Sequence, residues 1–354
     1  MRPALKSGLL PVWRDRDTLQ IGIDPRRAIA LTGMSQAAFV IGLLDGSRER
    51  DQVMTAAAER GIPVQATERI LTLLAAGGAL DDFPASTFRA VPPALRVRLA
   101  PELATSSLAH GDGDGGARAL ARRRTALVRI EGDQRIGRAA ARILGTAGIG
   151  SVEFVRPRPD ELVRPRQALA QRPRSQRRAV PSWPEAPGQR HTMRVASTRA
   201  AHAAHPSVQH EKPDLVILAG RQSLARLTEL ARDRVPHLSV IAGEAIGVVG
   251  PLVVPRRTTC LLCLDYIRAG NDPAWPLILA QLGRRRPDPP ACDAVLAAAV
   301  AAQAAAQALI AIEQSPYASA AVNGTLEIVL PDWRWRRRTW EPHPACPCAT
   351  HTVR

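Results

Sequence analysis

TALVRIEGDQRIGRAAARILGTAGIGSVEFVRP, residues 125–157, places one helical repeat between two apolar runs. TALVRIEG reads as a buried strand, GRAAARILGTAG as a helix ending at Gly148, and SVEFVRP as a second strand. A buried strand, a helix and a buried strand in that order form a βαβ unit, and such units assemble into parallel sheets covered on both faces. The pattern continues downstream. PDLVILAG, PHLSVIAG and IGVVGPLVVP read as three more strands, with LARLTELARDR helical between the first two. TLEIVL and WRWRRRTW, joined across Pro331 and Asp332, predict an antiparallel hairpin near the end of the chain. Residues 125–354 are therefore expected to form an α/β domain on a parallel sheet.

Two cysteine pairs fall inside that domain. RTTCLLCLDY, residues 257–266, carries Cys260 and Cys263, and ACPC, residues 345–348, carries Cys346 and Cys348. Two cysteines three apart on a turn can aim both sulfurs at one point, and tetrahedral zinc needs four such ligands. The predicted hairpin would return the chain so that the two pairs meet. With all four positions filled by thiolate no place remains for a catalytic water, so the expected zinc is structural. The competing reading is unrelated thiols or disulfides.

At 354 residues the chain can bury one full core and has the length for two. No segment reads as a signal peptide, since Arg2 and Lys6 are followed by Trp13 and a run of charge. AVLAAAVAAQAAAQALIAI, residues 294–312, is the nearest approach to a membrane span; alanine dominates it, and Gln303 and Gln307 share a face. It is expected to be a buried helix on the sheet, in a cytoplasmic protein with no membrane partner. The net charge is +16, and basic residues other than Lys6 and Lys212 are arginine. Between Arg156 and His210 eleven arginines face only Asp160, Glu161 and Glu185. That Arg/Pro-rich segment, 156–210, is poor in large apolar residues and is expected to be a flexible insertion. It suits phosphate backbone, an acidic peptide or plain solvation.

Residues 1–85 read as a small winged helix. TLQIGID and RAIALTG are β-type runs around an Asp24-Pro25 turn. Three helices follow. The first lies in SQAAFVIGLLDG, with Phe39, Leu43 and Leu44 inward; the second is capped by Ser47 and closed by Gly61; the third spans about 66–76, with Ile70, Leu73 and Leu74 inward. GGALDD starts the wing, whose strand near Leu80 is expected to leave an open edge. Residues 86–124, with Pro92-Pro93 and HGDGDGG, read as a linker.

The βαβ unit with its glycine loop, GPLVVPRRTTCLLC and the terminal CPC together resemble the ThiF family, adenylating enzymes related to ubiquitin activators, from Thr125 to Cys348. WRDRDTLQIGID, LLDGSRER and LTLLAAGGALDD resemble a PqqD-like leader-peptide recognition domain. CLLCLDYIRAGNDPAWPLILAQL resembles actinobacterial ThiF-like proteins that carry such a domain. The resemblance implies a Rossmann-like ThiF-type domain with a zinc knuckle behind an N-terminal winged helix. It also implies a leader-binding role beside a cyclodehydratase-type enzyme in making azole- or azoline-containing ribosomal peptides, and it admits a homodimer.

The family's chemistry needs a glycine loop, an acid on the ribose, a basic pair at the triphosphate and an Asp for magnesium. Here the loop is EGDQRIG: Gly132 and Gly137 keep the outer positions, and Gln134 takes the middle one. Arg156, Pro157 and Arg158 follow the second strand where the ribose acid belongs. Losing one charged hydrogen bond costs roughly 1.5–3 kcal/mol. No lysine occurs between Gly137 and Lys212, leaving Arg166 as the one candidate for the basic pair. Gly220 and Arg221 end the strand where the magnesium Asp belongs. An arginine after the second strand also suits a 2′-phosphate.

The leading expectation is a non-catalytic partner, a degenerate adenylyltransferase without bound ATP or magnesium, that presents a precursor's leader peptide to another enzyme. An active adenylyltransferase and a winged-helix nucleic-acid binder are the alternatives. Three further features carry less. Cys292 sits at a helix start, where a dipole can activate a thiol, but a buried structural cysteine is the favoured reading. His202 and His205 have a metal-compatible spacing inside the Arg-rich segment. Trp333, Trp335 and Trp340 interleave with Arg334, Arg336, Arg337 and Arg338; they could stack bases, or the hairpin could pack Trp333 and Trp335 inward.

Overall fold

The computed structural model describes residues 1–82, 92–155, 193–194, 212–282 and 291–348, in two compact units, Met1–Arg122 and Arg123–Arg354. The strands of the first unit are β1 (Pro3–Leu5), β2 (Pro11–Trp13), β3 (Thr18–Ile21), β4 (Ile29–Thr32) and β5 (Leu80–Asp82). Its helices are α1 (Ala37–Gly42), α2 (Arg50–Glu59), α3 (Val64–Ala76), α4 (Pro93–Arg98) and α5 (Ala100–His110), and the unit boundary falls within α6 (Ala117–Thr125).

Antiparallel β2-β3-β4 is one sheet, and β1 pairs antiparallel with β5 in another. Leu19, Ile21 and Leu31 of the three-stranded sheet meet Val40, Ile41, Ile70, Leu71 and Leu74 of the helices in one apolar core. The expected inward facing holds for Leu44, Ile70 and Leu74 and is corrected at Phe39 and Leu73. Phe39 and Leu73 are exposed while Val40 and Leu71 are buried, because the short α1 places Val40 and Ile41 under the sheet. Ser47 does not cap α2 either. Its hydroxyl donates to Asp45, and Glu49 with Gln52 forms the capping box instead. The open edge expected at Leu80 is covered: Leu80 pairs with Leu5, a strand too short to show alternation in the sequence.

The described part of the expected linker is helical. Leu95, Leu99, Leu103, Ala117 and Leu120 of α4–α6 form their own buried cluster. Helix α5 also completes a polar core. Lys6, 2% exposed, donates to the Ser107 carbonyl at 2.7 Å, and the Ser107 hydroxyl donates to Asp81 at 2.8 Å. The glycines of HGDGDGG, read as flexibility, are helix-end turns; Gly111 caps α5 in the left-handed region with φ 69°.

The second unit holds β6 (Leu127–Gly132), β7 (Ser151–Val155), β8 (Met193–Arg194), β9 (Leu215–Ala219), β10 (His237–Gly243), β11 (Ile246–Val253), β12 (Gly324–Val329) and β13 (Arg334–Thr339). They form one eight-stranded sheet in the order β13-β12-β11-β10-β9-β6-β7-β8. Strands β7, β6, β9 and β10 run parallel, as the βαβ pattern demands. The third downstream run does not: β11 turns back antiparallel on β10. Glu244 and Ala245, at φ 54° and 58°, form the two-residue loop, a left-handed hairpin turn built without glycine.

The helices of this unit are α7 (Gln134–Thr146), α8 (Leu224–Arg232), α9 (Leu261–Asn271), α10 (Trp275–Leu282) and α11 (Ala294–Glu313). Side chains alternate across the sheet. Val128, Ile130 and Ile217 pack with Ala140, Leu144, Ala301 and Ala305 of α7 and α11, whereas Val216 and Leu218 meet Leu227 and Leu230 of α8. Helix α11 is long and apolar enough to cross a membrane, yet its alanines fill this core, and its buried Gln307 accepts from the Ser319 hydroxyl at 2.8 Å. Small side chains allow the close approach, and a buried amide needs such a partner. Beyond β8, segment 156–210 lies outside the described residues.

Candidate metal centre and nucleotide loop

Strand β11 delivers the chain to Thr258 and Thr259, which lock the approach to the first cysteine pair. The Thr258 hydroxyl accepts from the Val254 amide at 2.8 Å, and the Thr259 hydroxyl donates to the Trp340 carbonyl at 3.0 Å. Cys260 then stands at the N-cap of α9 with Cys263 in its first turn. The hairpin β12–β13 returns the chain through Trp340, whose amide donates to the Asn323 carbonyl, to Cys346 and Cys348. The four sulfurs lie within 4.8 Å of one another. Cys260 Sγ is 3.7, 3.6 and 3.5 Å from those of Cys263, Cys346 and Cys348, and Cys263 Sγ is 3.2 Å from Cys348 Sγ. A tetrahedral ion with bonds of about 2.3 Å to sulfur spaces its ligands about 3.8 Å apart. A disulfide needs about 2.05 Å, so the cluster has the dimensions of a metal site. Cys263 and Cys346 are buried. Hydrogen bonds from Cys260, then Cys346 and Cys348, hold the Cys263 thiol far below its ordinary value. The four cysteines can hold one metal ion, and none of them leaves a position for water.

The glycine loop explains its own composition. Gly132 ends β6 at φ 119°, and any Cβ there would collide with the carbonyl oxygen of Ala219 on the neighbouring strand. A Cβ at Gly137 would strike the Phe154 ring. Both glycines serve packing between strand and helix. Sequence reasoning missed Asp133. It N-caps α7, and its carboxylate accepts from the amides of Arg135 at 2.8 Å and Ile136 at 3.3 Å. Those amides are the donors that a helix N-terminus offers to phosphate. An aspartate directly before the helix is a capping signal that could have revealed this. Gln134 opens the helix at the middle loop position.

At the end of β9, Gly220 has φ 102°, and Arg221 follows where a carboxylate was sought. Trp275 lies beneath both Arg221 and Arg268. The Cys292 thiol is buried, and burial, then Asp133, push its pKa up, so it is not activated. Its carbonyl accepts from Arg135 at 2.6 Å. Trp333 and Trp335 are 39% and 36% exposed, correcting the inward reading, because β13 is an edge strand with neither face covered among the described residues; Trp340 is the buried one. Arg156, Arg158, Arg166, His202 and His205 lie outside the described residues.

In the first unit, hydrogen-bond phase separates the two edges of the three-stranded sheet, neither of which pairs with a further strand among the described residues. Gly33 donates to Asp17, so Leu31 and Ile29 face β3, leaving the amides and carbonyls of Ala30 and Thr32 directed outward. On the opposite edge the outward positions include Pro11, which has no amide hydrogen. Ile29 closes over Gly77 at the end of α3, setting that helix beside β4. A hollow of about 300 Å³ opens along another face of α3, lined by Pro3, Leu71, Thr72, Ala75, Ala76 and Leu80.

No known protein family's sequence profile matches the chain, and no curated protein sequence matches it. Solved structures match it in fold. The heterocyclase TruD aligns over 98% of this chain and 42% of its own, with 14% identity and a TM-score of 0.60. A heterocyclase in complex with substrate and cofactor aligns over 98% and 39%, with 14% identity and a TM-score of 0.61. E. coli MccB with AMPCPP and MccA aligns over 98% of this chain and 99% of its own, with 14% identity and a TM-score of 0.60. The chain thus spans less than half of these heterocyclases and nearly all of MccB, and it shares the MccB-like mixed α/β fold.

Proposed function

We propose that this chain captures a ribosomally made precursor peptide on the β4 edge of its N-terminal unit and presents it to a separate cyclodehydratase-type enzyme, without adenylating it. The unpaired outer edge of β4 carries the reading. It offers the Ala30 and Thr32 backbone groups to an extended peptide, which would add a strand beside α3. The likeness to structures of MccB with MccA and of a heterocyclase with substrate supports a role in peptide modification. The PqqD-like motifs in residues 13–82 point the same way. Loss of catalysis is supported by Asp133, whose carboxylate occupies the amides that phosphate would need, and by Gly220 and Arg221 at the strand end. One structural zinc on Cys260, Cys263, Cys346 and Cys348 would complete the second unit.

The test is anisotropy of labelled precursor peptides, encoded beside this gene, with the full chain. Ala30→Pro removes one outward amide and leaves the bonds to β3 intact, so affinity should fall about ten-fold or more while the thermal transition persists. Unchanged peptide affinity in this variant would overturn the edge reading. Mg-ATP should give no binding heat. Pyrophosphate exchange with a precursor peptide would instead establish the adenylyltransferase.

A further inference from the structure

Arg221, Trp275, Arg268, Trp340 and Arg338 form an alternating row on the second unit. The Arg221 guanidinium carbon lies 5.9 Å from the Trp275 ring centre, and that of Arg268 lies 5.1 Å from the same ring and 5.7 Å from Trp340. Arg338 closes the row, 4.2 Å from Trp340. Several other arginines of this unit pair with carboxylates: Arg123 with Glu313, Arg129 with Glu153, Arg226 with Glu131 and Arg336 with Asp332. None of the three in the row has an ion pair or a side-chain hydrogen bond among the described residues. Glu244 and Glu327 lie near enough to be felt by Arg221 and Arg268, but neither is within ion-pair distance. Arg221 is exposed by surface area, yet enough protein surrounds it that lost hydration, then repulsion from Arg268, lower its pKa. Three guanidinium groups held together without a carboxylate partner make a positive strip that attracts anionic groups.

We propose that this row is a docking track for an acidic stretch of peptide bound in extended form. The choice of occupant rests on the peptide-capture reading above; the track itself is separate from the β4 edge. The tryptophan rings lie within cation–π distance of each guanidinium, whose N–H groups have no carboxylate partner among the described residues and can fork onto one. Along an extended chain, side chains on one face recur every ~7 Å. Two arginines that share one tryptophan are no further apart than their two centroid distances together, a gap that alternate glutamates span with their own reach. Single-stranded nucleic acid would need open ring faces for its bases. Trp340 is buried, and both rings already carry guanidinium groups.

The experiment uses the full chain and a short labelled peptide of alternating glutamate and serine, with the glutamine-serine peptide, oligothymidylate and pyrophosphate as rivals. The glutamate peptide should bind, and the glutamine peptide should not. Arg268→Gln and Arg221→Gln should each weaken binding about ten-fold or more. Ala30→Pro should leave this binding unchanged, so failure of the track and failure of the β4 reading are separable. Arg221 is exposed at a strand end, so its variant reports on the track even if the Arg268 variant misfolds. Equal binding by both arginine variants would overturn the proposal. So would tighter, arginine-dependent binding of pyrophosphate or oligothymidylate.

Discussion

Asp133 shows how one capping side chain can occupy a helix end beside glycines that packing alone requires. Gly132 and Gly137 survive because a Cβ at either would collide with Ala219 or Phe154, whatever the loop binds. The helix end meanwhile has a permanent carboxylate. His237 supplies a second single-residue consequence. It is buried on β10, with Nδ1 3.0 Å from the Val235 carbonyl, and burial depresses its pKa to about 4. Its unfolded value is about 6.5. The unfolded chain therefore takes up the proton first as pH falls, so stability present above pH ~6.5 should be lost progressively toward pH ~4. Denaturant unfolding across that window should show this slope, and His237→Asn, which keeps a donor for Val235, should flatten it. An unchanged slope would place the titration elsewhere.

The cysteine cluster joins helix α9 to the segment following hairpin β12–β13, where Tyr266 also stacks on His343 and Thr259 bonds to Asn323 and Trp340. Structural zinc contributes on the order of 10–16 kcal/mol in small finger peptides. Here the sheet already anchors the hairpin, so metal removal should release the chain after Trp340 before it melts the sheet. Elemental analysis should find one zinc per chain. Chelation should expose the cysteine thiols to labelling and lower the thermal midpoint of the second unit. Cys263→Ser should do the same without chelator. Purified protein with no stoichiometric metal, and with thiols already protected, would dismiss the site.

Two units mean two cooperative transitions, and where the first ends is a physical question. Lys6, Asp81 and Ser107 are all buried, so a fragment ending at residue 85 would leave a charged pair without the carbonyl and hydroxyl that satisfy it. Removing one partner from such a buried network costs about 3–5 kcal/mol. Residues 1–122 should therefore fold alone with a cooperative transition, and residues 1–85 should not, as circular dichroism melts would show. A cooperative 1–85 fragment would return α4–α6 to linker status.

Alternation and short-range spacing were legible in the chain itself: the βαβ run from Thr125, the buried strands β9 and β10, the alanine helix α11, and the paired cysteines. Each depends on side chains within a few residues, and burial on both faces leaves a continuous apolar run. Direction was not legible, because an apolar run such as IGVVGPLVVP reads the same whether it joins its sheet parallel or antiparallel; the left-handed Glu244–Ala245 turn decided it. Nor could three-residue β1 be seen, or the facing of exposed β13, whose Trp333 and Trp335 find no second layer among the described residues to cover them. The arginine–tryptophan row gathers Arg221, Arg268, Trp275 and the Arg338–Trp340 pair from four places in the chain. Only tertiary packing brings them together, since no local rule relates side chains from separate strands and helices.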